Sequence, residues 1–153
     1  MKKQIGIILL LSLSSAWGET QNMGLGAILG APTGIAANYK LSDNKSVDGA
    51  LSFDFSANTK LNFHSTYLLH KPESIPFNDH KLDWYYGAGA RFKLVSHKDK
   101  DDELLVGPRV ASGLLWNLSD VPCDFFGQGA LGLDIIPRTS AYFNLSLGAR
   151  YYF

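Results

Sequence analysis

From Ala141 to Phe153 the sequence alternates without a break. Ala141, Phe143, Leu145, Leu147, Ala149, Tyr151 and Phe153 share one parity; Tyr142, Asn144, Ser146, Gly148, Arg150 and Tyr152 share the other. Successive side chains of a β-strand point to opposite faces. This segment therefore predicts a strand with one apolar face and one polar, small or phenolic face. Three other segments repeat the pattern. In Leu82–Leu94, Trp84, Tyr86, Ala88, Ala90, Phe92 and Leu94 oppose Asp83, Tyr85, Gly87, Gly89, Arg91 and Lys93. In Ser46–Phe55, Val47, Leu51, Phe53 and Phe55 oppose Ser46, Asp48, Ser52 and Asp54. In Lys60–His70, Leu61, Phe63, Tyr67 and Leu69 oppose Asn62, His64, Thr66 and His70. Weaker alternation marks Asn22–Gly30, Gly34–Leu41, Leu104–Leu118 and Cys123–Ile135; Pro108 either puts a bulge in the third or argues against it as a strand. Turn-forming residues separate the segments, and Lys71–Lys81 is the longest separator. The pattern predicts about eight antiparallel strands in one domain.

Residues 1–18 stand apart. Lys2 and Lys3 precede the apolar run Ile5–Leu13, and small residues surround Ala16-Trp17-Gly18. That order predicts a signal peptide cut after Gly18, with residues 19–153 as the barrel domain. The run is too short for a membrane-spanning helix, which needs about 20 residues. The whole chain balances 14 basic against 14 acidic residues, so losing Lys2 and Lys3 leaves a net charge of −2. No basic stripe offers a nucleic-acid footprint. Cys123 is the one cysteine, so no internal disulfide can form.

Alternation does not by itself say which face is inside. Charged residues are 18% of the chain, against about 25% for an average soluble domain. The strand polar faces carry Ser, Asn, Gly and Tyr with isolated charges, and dense charge gathers in Lys98–Glu103. The bulky residues share the apolar faces, with Tyr67, Trp84, Tyr86, Trp116, Tyr151 and Phe153 near strand ends. This is the inverted polarity of a membrane barrel, with aromatic girdles and a narrow inner face rich in small residues. Backbone groups in lipid find no water, so the sheet must close on itself. The expected fold is all-β: a closed antiparallel up-and-down transmembrane β-barrel of about eight strands. A lipid partner on its outer wall follows.

The ending Leu145-Ser146-Leu147-Gly148-Ala149-Arg150-Tyr151-Tyr152-Phe153 resembles the C-terminal signal of bacterial outer-membrane barrels. The resemblance implies that Leu145, Leu147, Ala149, Tyr151 and Phe153 are read by the barrel-assembly machinery. Gly24-Leu25-Gly26 leading to Gly30-Ala31-Pro32-Thr33-Gly34, then Trp84–Arg91, then the final strand, are similar to a family of short outer-membrane barrels of the OmpA transmembrane kind. That resemblance implies fold and location and carries no mechanism. With both termini in the periplasm it places the fourth connection, Lys71–Lys81, on the periplasmic side, where long loops are unusual.

Reactive constellations are sparse. Gly127-Gln128-Gly129-Ala130-Leu131-Gly132 fits a dinucleotide fingerprint, but Leu133–Pro137 opens no helix after it. His64, His70, His80 and His97 have no zinc spacing. His64-Ser65 is the nearest base–nucleophile pair, and adjacent strand residues face opposite ways. No cofactor, metal or catalytic residue is expected. The asparagines at 44, 117 and 144 that head Asn-x-Ser sites carry no role in a bacterial export reading.

The inner-face charges say more. Asp48, Asp54, Asp83, Asp124 and Asp134 share a parity set with Lys40, Lys60, Arg91, Lys93, Arg109 and Arg150. Buried charges persist when paired, so these residues are expected to form an ion-pair network that fills the lumen. The expected role is structural or surface-interacting, with the surface partner unassigned. The alternatives are a narrow, porin-like channel, a lipid A-modifying enzyme, and a soluble barrel with its apolar faces around a ligand.

Overall fold

The computed structural model describes residues 21–53, 59–97 and 99–153. They form eight strands: β1 (Met23–Gly30), β2 (Thr33–Ser42), β3 (Lys45–Phe53), β4 (Thr59–Phe77), β5 (His80–His97), β6 (Lys100–Asn117), β7 (Cys123–Asp134) and β8 (Ser140–Tyr152). Each pairs with the next, and β1 pairs with β8, so the sheet is a closed barrel. The seam is antiparallel, with Leu25 opposite Tyr151 and Leu29 opposite Leu147. Closure gives every strand a hydrogen-bonding neighbour on both sides and leaves no open edge. The expected signal peptide lies outside the described residues.

The alternation of the sequence becomes the two surfaces of the wall. Leu29, Ile35, Phe53, Phe63, Phe92, Val110, Leu131, Phe143 and Leu147 are exposed, and Leu147 is 67% exposed. Their neighbours Ile28, Ala36, Ser52, Asn62, His64, Arg91, Arg109, Ala111, Ala130 and Ser146 are buried in the lumen. The apolar side chains face outward and the polar ones inward. This contradicts the soluble ligand-binding alternative, which needs the reverse.

Two separators are shorter than the sequence suggests. The stretch Lys71–Lys81 is mostly ladder: Ile75 pairs with Leu82, Pro76 with Lys81 and Phe77 with His80. Only Asn78 and Asp79 form the turn. Asn78 has a φ of 52°, a left-handed conformation that asparagine tolerates better than most residues. Likewise β5 runs to His97 and β6 begins at Lys100. Polar residues at these positions read as loop, yet the hairpins continue past the belt with polar side chains. The unusual fourth loop is therefore a hairpin extension. Between Lys71 and Ile75 the register shifts, and the Glu73 N–H donates to Asp83 Oδ1 at 2.8 Å across that bulge.

Pro108 sits on β6 opposite Ala90 of β5. Its other neighbour is β7, where the ladder stops at Arg109–Gly132. An isolated bridge, Val106–Ile136, continues beyond it with the register slipped. A proline donates no hydrogen bond, so the break falls where one of the two sequence expectations put a bulge.

Inner glycines let the walls close. At the seam, a Cβ on Gly26 would run into the Ala149 carbonyl and lie 2.7 Å from Arg150 Cα. Gly26→Val should destabilise the folded barrel by about 1–3 kcal/mol, the usual cost of overpacking. The outward change Ala27→Val should stay within about 0.5 kcal/mol. Urea unfolding in detergent micelles, followed by gel mobility, measures both. Equal midpoints for the two variants would show that seam closure does not depend on Gly26.

Candidate functional site in the barrel lumen

The inner faces of β2, β3, β4, β7 and β8 meet at the end of the barrel that carries the termini. Arg150 on β8 grips Asp124 on β7 through two bonds, Nε to Oδ1 at 3.0 Å and Nη2 to Oδ2 at 2.9 Å. Both residues are almost wholly buried. The Tyr152 hydroxyl donates to the same Asp124 Oδ2 at 2.7 Å and lies 3.3 Å from Asn38 Oδ1. Asn38 Nδ2 donates to Ser46 Oγ at 3.0 Å, and Ser46 Oγ is 2.7 Å from His70 Nε2. Lys40 Nζ stands 3.9 Å above the Tyr152 ring. Arg150 packs its guanidinium 4.3 Å from the Phe126 ring centroid. Ile28, Leu68, Tyr85, Leu115 and Phe126 fill the cross-section beside these groups.

A second layer lies toward the other end. Arg91 on β5 forms an ion pair with Asp134 on β7. The Arg91 guanidinium also covers the Tyr142 ring at 3.2 Å. Asn62 of β4 and Asn144 of β8 line the recess beside this layer.

Between the layers stand Asp48, His64, Thr66, Arg109 and Gln128, all buried. Each carries at least one enclosed polar atom with no protein partner: Arg109 through Nε and Nη1, Asp48 through Oδ1. Arg109 and Asp48 feel each other's charge without touching as an ion pair. Buried polar groups left free by protein are ordinarily met by enclosed water.

The predicted lumen residues thus separate into groups. Arg150 meets Asp124, and Arg91 meets Asp134. Arg109 lies between those pairs, with no carboxylate at ion-pair distance among the described residues. Asp83 sits at the rim instead, accepting from Asn117 Nδ2 at 2.8 Å and from the Glu73 backbone. Lys93 lines the recess at the far mouth with Arg91. Asp54 lies outside the described residues. Sequence reasoning missed Tyr142 and Tyr152 as partners of these charges, and Asn38 and Ser46 as the groups that extend the contact from Tyr152 to His70. Their parity marked them as inward, but parity does not say which side chains meet across the lumen.

The residues expected to form the assembly signal share the opposite surface. Leu145, Leu147, Ala149 and Tyr151 face outward along β8, and the Phe153 N–H donates to the Met23 carbonyl at 3.0 Å. His64 and Ser65 do point apart: His64 is buried, while Ser65 Oγ donates to the Asp48 carbonyl at 3.1 Å. Among the described residues no three His, Cys, Asp or Glu side chains converge as a metal-holding group. Each mouth is a recess, about 280 Å³ at the terminus end and about 180 Å³ at the other. Leu68, Tyr85 and Asp124, each exposed by 1% or less, lie between them.

Removing one partner of a buried pair strands the other charge and typically costs about 3–5 kcal/mol. Arg150→Met should approach that loss. Arg138→Met, which breaks the exposed pair with Glu103 at 3.4 Å, should cost no more than about 1 kcal/mol. Unfolding midpoints in detergent compare the two. Equal, small shifts would show that the lumen pair does not hold the barrel together.

No family model and no curated protein sequence matches the chain. Solved structures do. The N-terminal β-barrel domain of Pseudomonas aeruginosa OprF superposes with a TM-score of 0.61 at 11% identity, covering 86% of this chain and 95% of that one. Neisserial surface protein A gives a TM-score of 0.47 at 14% identity, over 86% of this chain and 93% of that one. The likeness to the OprF domain is one of fold: this chain, like that domain, is a β-barrel, here closed from eight antiparallel strands.

Proposed function

We propose that the chain is a bacterial outer-membrane barrel with a structural or surface-interaction role, and that its lumen is plugged. The inverted wall carries this reading. A continuous outer surface of Leu, Ile, Val and Phe suits lipid, and water would drive it to collapse or aggregate. The strands, 8 residues long in β1 and 9 or more in the others, match or come close to the about 9–11 tilted residues that cross a bilayer. The packed layers at Arg150–Asp124 and Arg91–Asp134 support a wall rather than a pore. No step of catalysis enters this reading.

The export reading belongs with it. Residues 1–18 direct secretion, and the outward row Leu145, Leu147, Ala149, Tyr151 and Phe153 is offered to the assembly machinery at the closing strand. Deleting Phe153 should lower the amount of folded barrel in the outer-membrane fraction several-fold. It should leave refolding of the purified chain in detergent unchanged. Reduced yield in both settings would assign Phe153 to stability instead.

Gel mobility of the outer-membrane fraction, boiled against unboiled, tests the central claim. A closed membrane barrel resists cold detergent, so the unboiled chain should migrate differently. Recovery of the chain in the soluble fraction would overturn the membrane reading. Planar-bilayer recording should stay silent at high protein load. Steady conductance would overturn the plugged lumen and favour the narrow channel.

A further inference from the structure

The outer wall at the terminus-side rim is not uniform around the ring. One sector, built by β3 to β6, carries two exposed lysines on its outer face, Lys45 and Lys71, and the described tryptophans Trp84 and Trp116. Lys45 of β3 stands opposite Leu69 of β4, which puts Lys71 at the diagonal position on the same outer face. Diagonal neighbours in an antiparallel pair lie about 7–8 Å apart. Both lysines are exposed. No carboxylate lies at ion-pair distance from either among the described residues. Lys71 Nζ leans over two rings, 5.3 Å from the Trp84 centroid and 5.9 Å from Tyr86. Those rings lie 5.1 Å apart, and Trp84 Nε1 donates to Ser112 Oγ at 2.9 Å, which fixes the platform.

The apolar face continues past this platform onto the β4–β5 hairpin extension. Ile75 pairs with Leu82, and Phe77 pairs with His80. Partners opposite each other in a ladder share a face, and Leu82 has the outward parity of Trp84. Phe77 is 59% exposed, and His80 lies 5.4 Å from the Trp116 ring. The other face of the extension holds the Lys81–Glu73 ion pair at 2.9 Å. The extension is thus apolar on the side that continues the belt and charged on the side that continues the lumen. Asp79 occupies the turn at the tip.

We propose that this sector is a lipid-headgroup site: Lys45 and Lys71 take the phosphate of an anionic glycerophospholipid over the Trp84–Tyr86 platform, and the outer face of the hairpin tip sits in the same headgroup layer. The inference rests on the membrane reading above. Two neighbouring ammonium groups without protein carboxylates attract an anion, and aromatic rings with a polar edge settle at the membrane interface. Continuity of the apolar belt brings the lipid to the lysines. A free phosphate in water gains nothing from that belt.

The chain has three tryptophans, so Trp17→Phe leaves Trp84 and Trp116, both in this sector. That variant, refolded into vesicles of phosphatidylcholine and phosphatidylglycerol, should be quenched more by acyl chains brominated near the headgroup than by chains brominated at the methyl end. The reverse order would place the platform in the bilayer core and overturn the site. Phe77→Trp, in a chain that also carries Trp84→Phe and Trp116→Phe, reports the hairpin tip. Shallow quenching is expected there, and absence of quenching would overturn the seating of the tip. Native mass spectrometry of barrel extracted from the same vesicles should show retained phosphatidylglycerol in preference to phosphatidylcholine. Lys45→Met with Lys71→Met should reduce that preference several-fold, while Lys100→Met at the opposite end keeps it. Unchanged preference in the double variant would remove the lysines from the site. Failure to enter vesicles, or loss of the boiled-against-unboiled shift in the unmodified chain, would instead refute the membrane reading itself.

Discussion

On the membrane reading proposed above, the whole structure depends on backbone hydrogen bonds that must be satisfied where water is absent. A sheet with two edges leaves a row of N–H and C=O groups open at each. Pairing β1 with β8 removes both rows. Once the ring closes as an up-and-down hairpin series, the strand number is even and the termini share one end. Every strand then divides its side chains between lipid and lumen. Chemistry on the two surfaces follows from that division and needs no long-range order in the sequence.

Closure with eight strands makes the lumen narrow, and narrowness decides what the inner residues can be. Side chains fill the space, so a charged group there has little bulk water to solvate it. Asp124 answers this with a two-bond grip on Arg150 and a third bond from Tyr152. Asp134 answers with Arg91, whose guanidinium lies on the Tyr142 ring. Ala36, Ala50, Ala111 and Ala130 occupy the buried wall as small residues and leave room for long side chains from other strands. The middle of the lumen uses that room differently. Arg109 and Asp48 keep polar atoms there that no protein group meets, the kind of site that enclosed water ordinarily satisfies.

The face of each residue was legible because face has a period of two and survives small errors in strand boundaries. The sequence pairs Phe143 with Leu145 and Leu147, and all three are outward. Strand ends were less legible. Lys71, Pro72, Glu73 and Ser74 look like a loop because turn formers and polar residues cluster there. Past the lipid belt, however, a ladder tolerates those residues on either face. Pro108 was readable because its missing donor has one consequence wherever it falls in a sheet. Partner choice in the lumen was not readable. Asp83 and Asp124 share the predicted inner face, yet one meets Asn117 at the rim and the other meets Arg150 in the interior. The difference comes from height along the barrel, which depends on the register of every ladder between them.

On the same membrane reading, height also separates the parts of the chain that lipid constrains from those it does not. β1, β2 and β3 are 8, 10 and 9 residues long, close to what a tilted crossing needs. β4, β5 and β6 have 19, 18 and 18 residues. The surplus cannot lie in the hydrocarbon beside its short neighbours. It projects from both ends in one sector, toward the Asn78–Asp79 turn at the terminus side and toward His97–Lys100 at the other. At the terminus side the surplus is short and keeps an apolar outer face through Ile75 and Phe77. At the other side it carries Lys100, Asp101, Asp102 and Glu103 on β6. Those positions are free of the alternation that the belt imposes, and they stand on a rigid ladder. On the proposed surface-interaction role, that β5–β6 projection is where the sequence is freest to vary on a paired support.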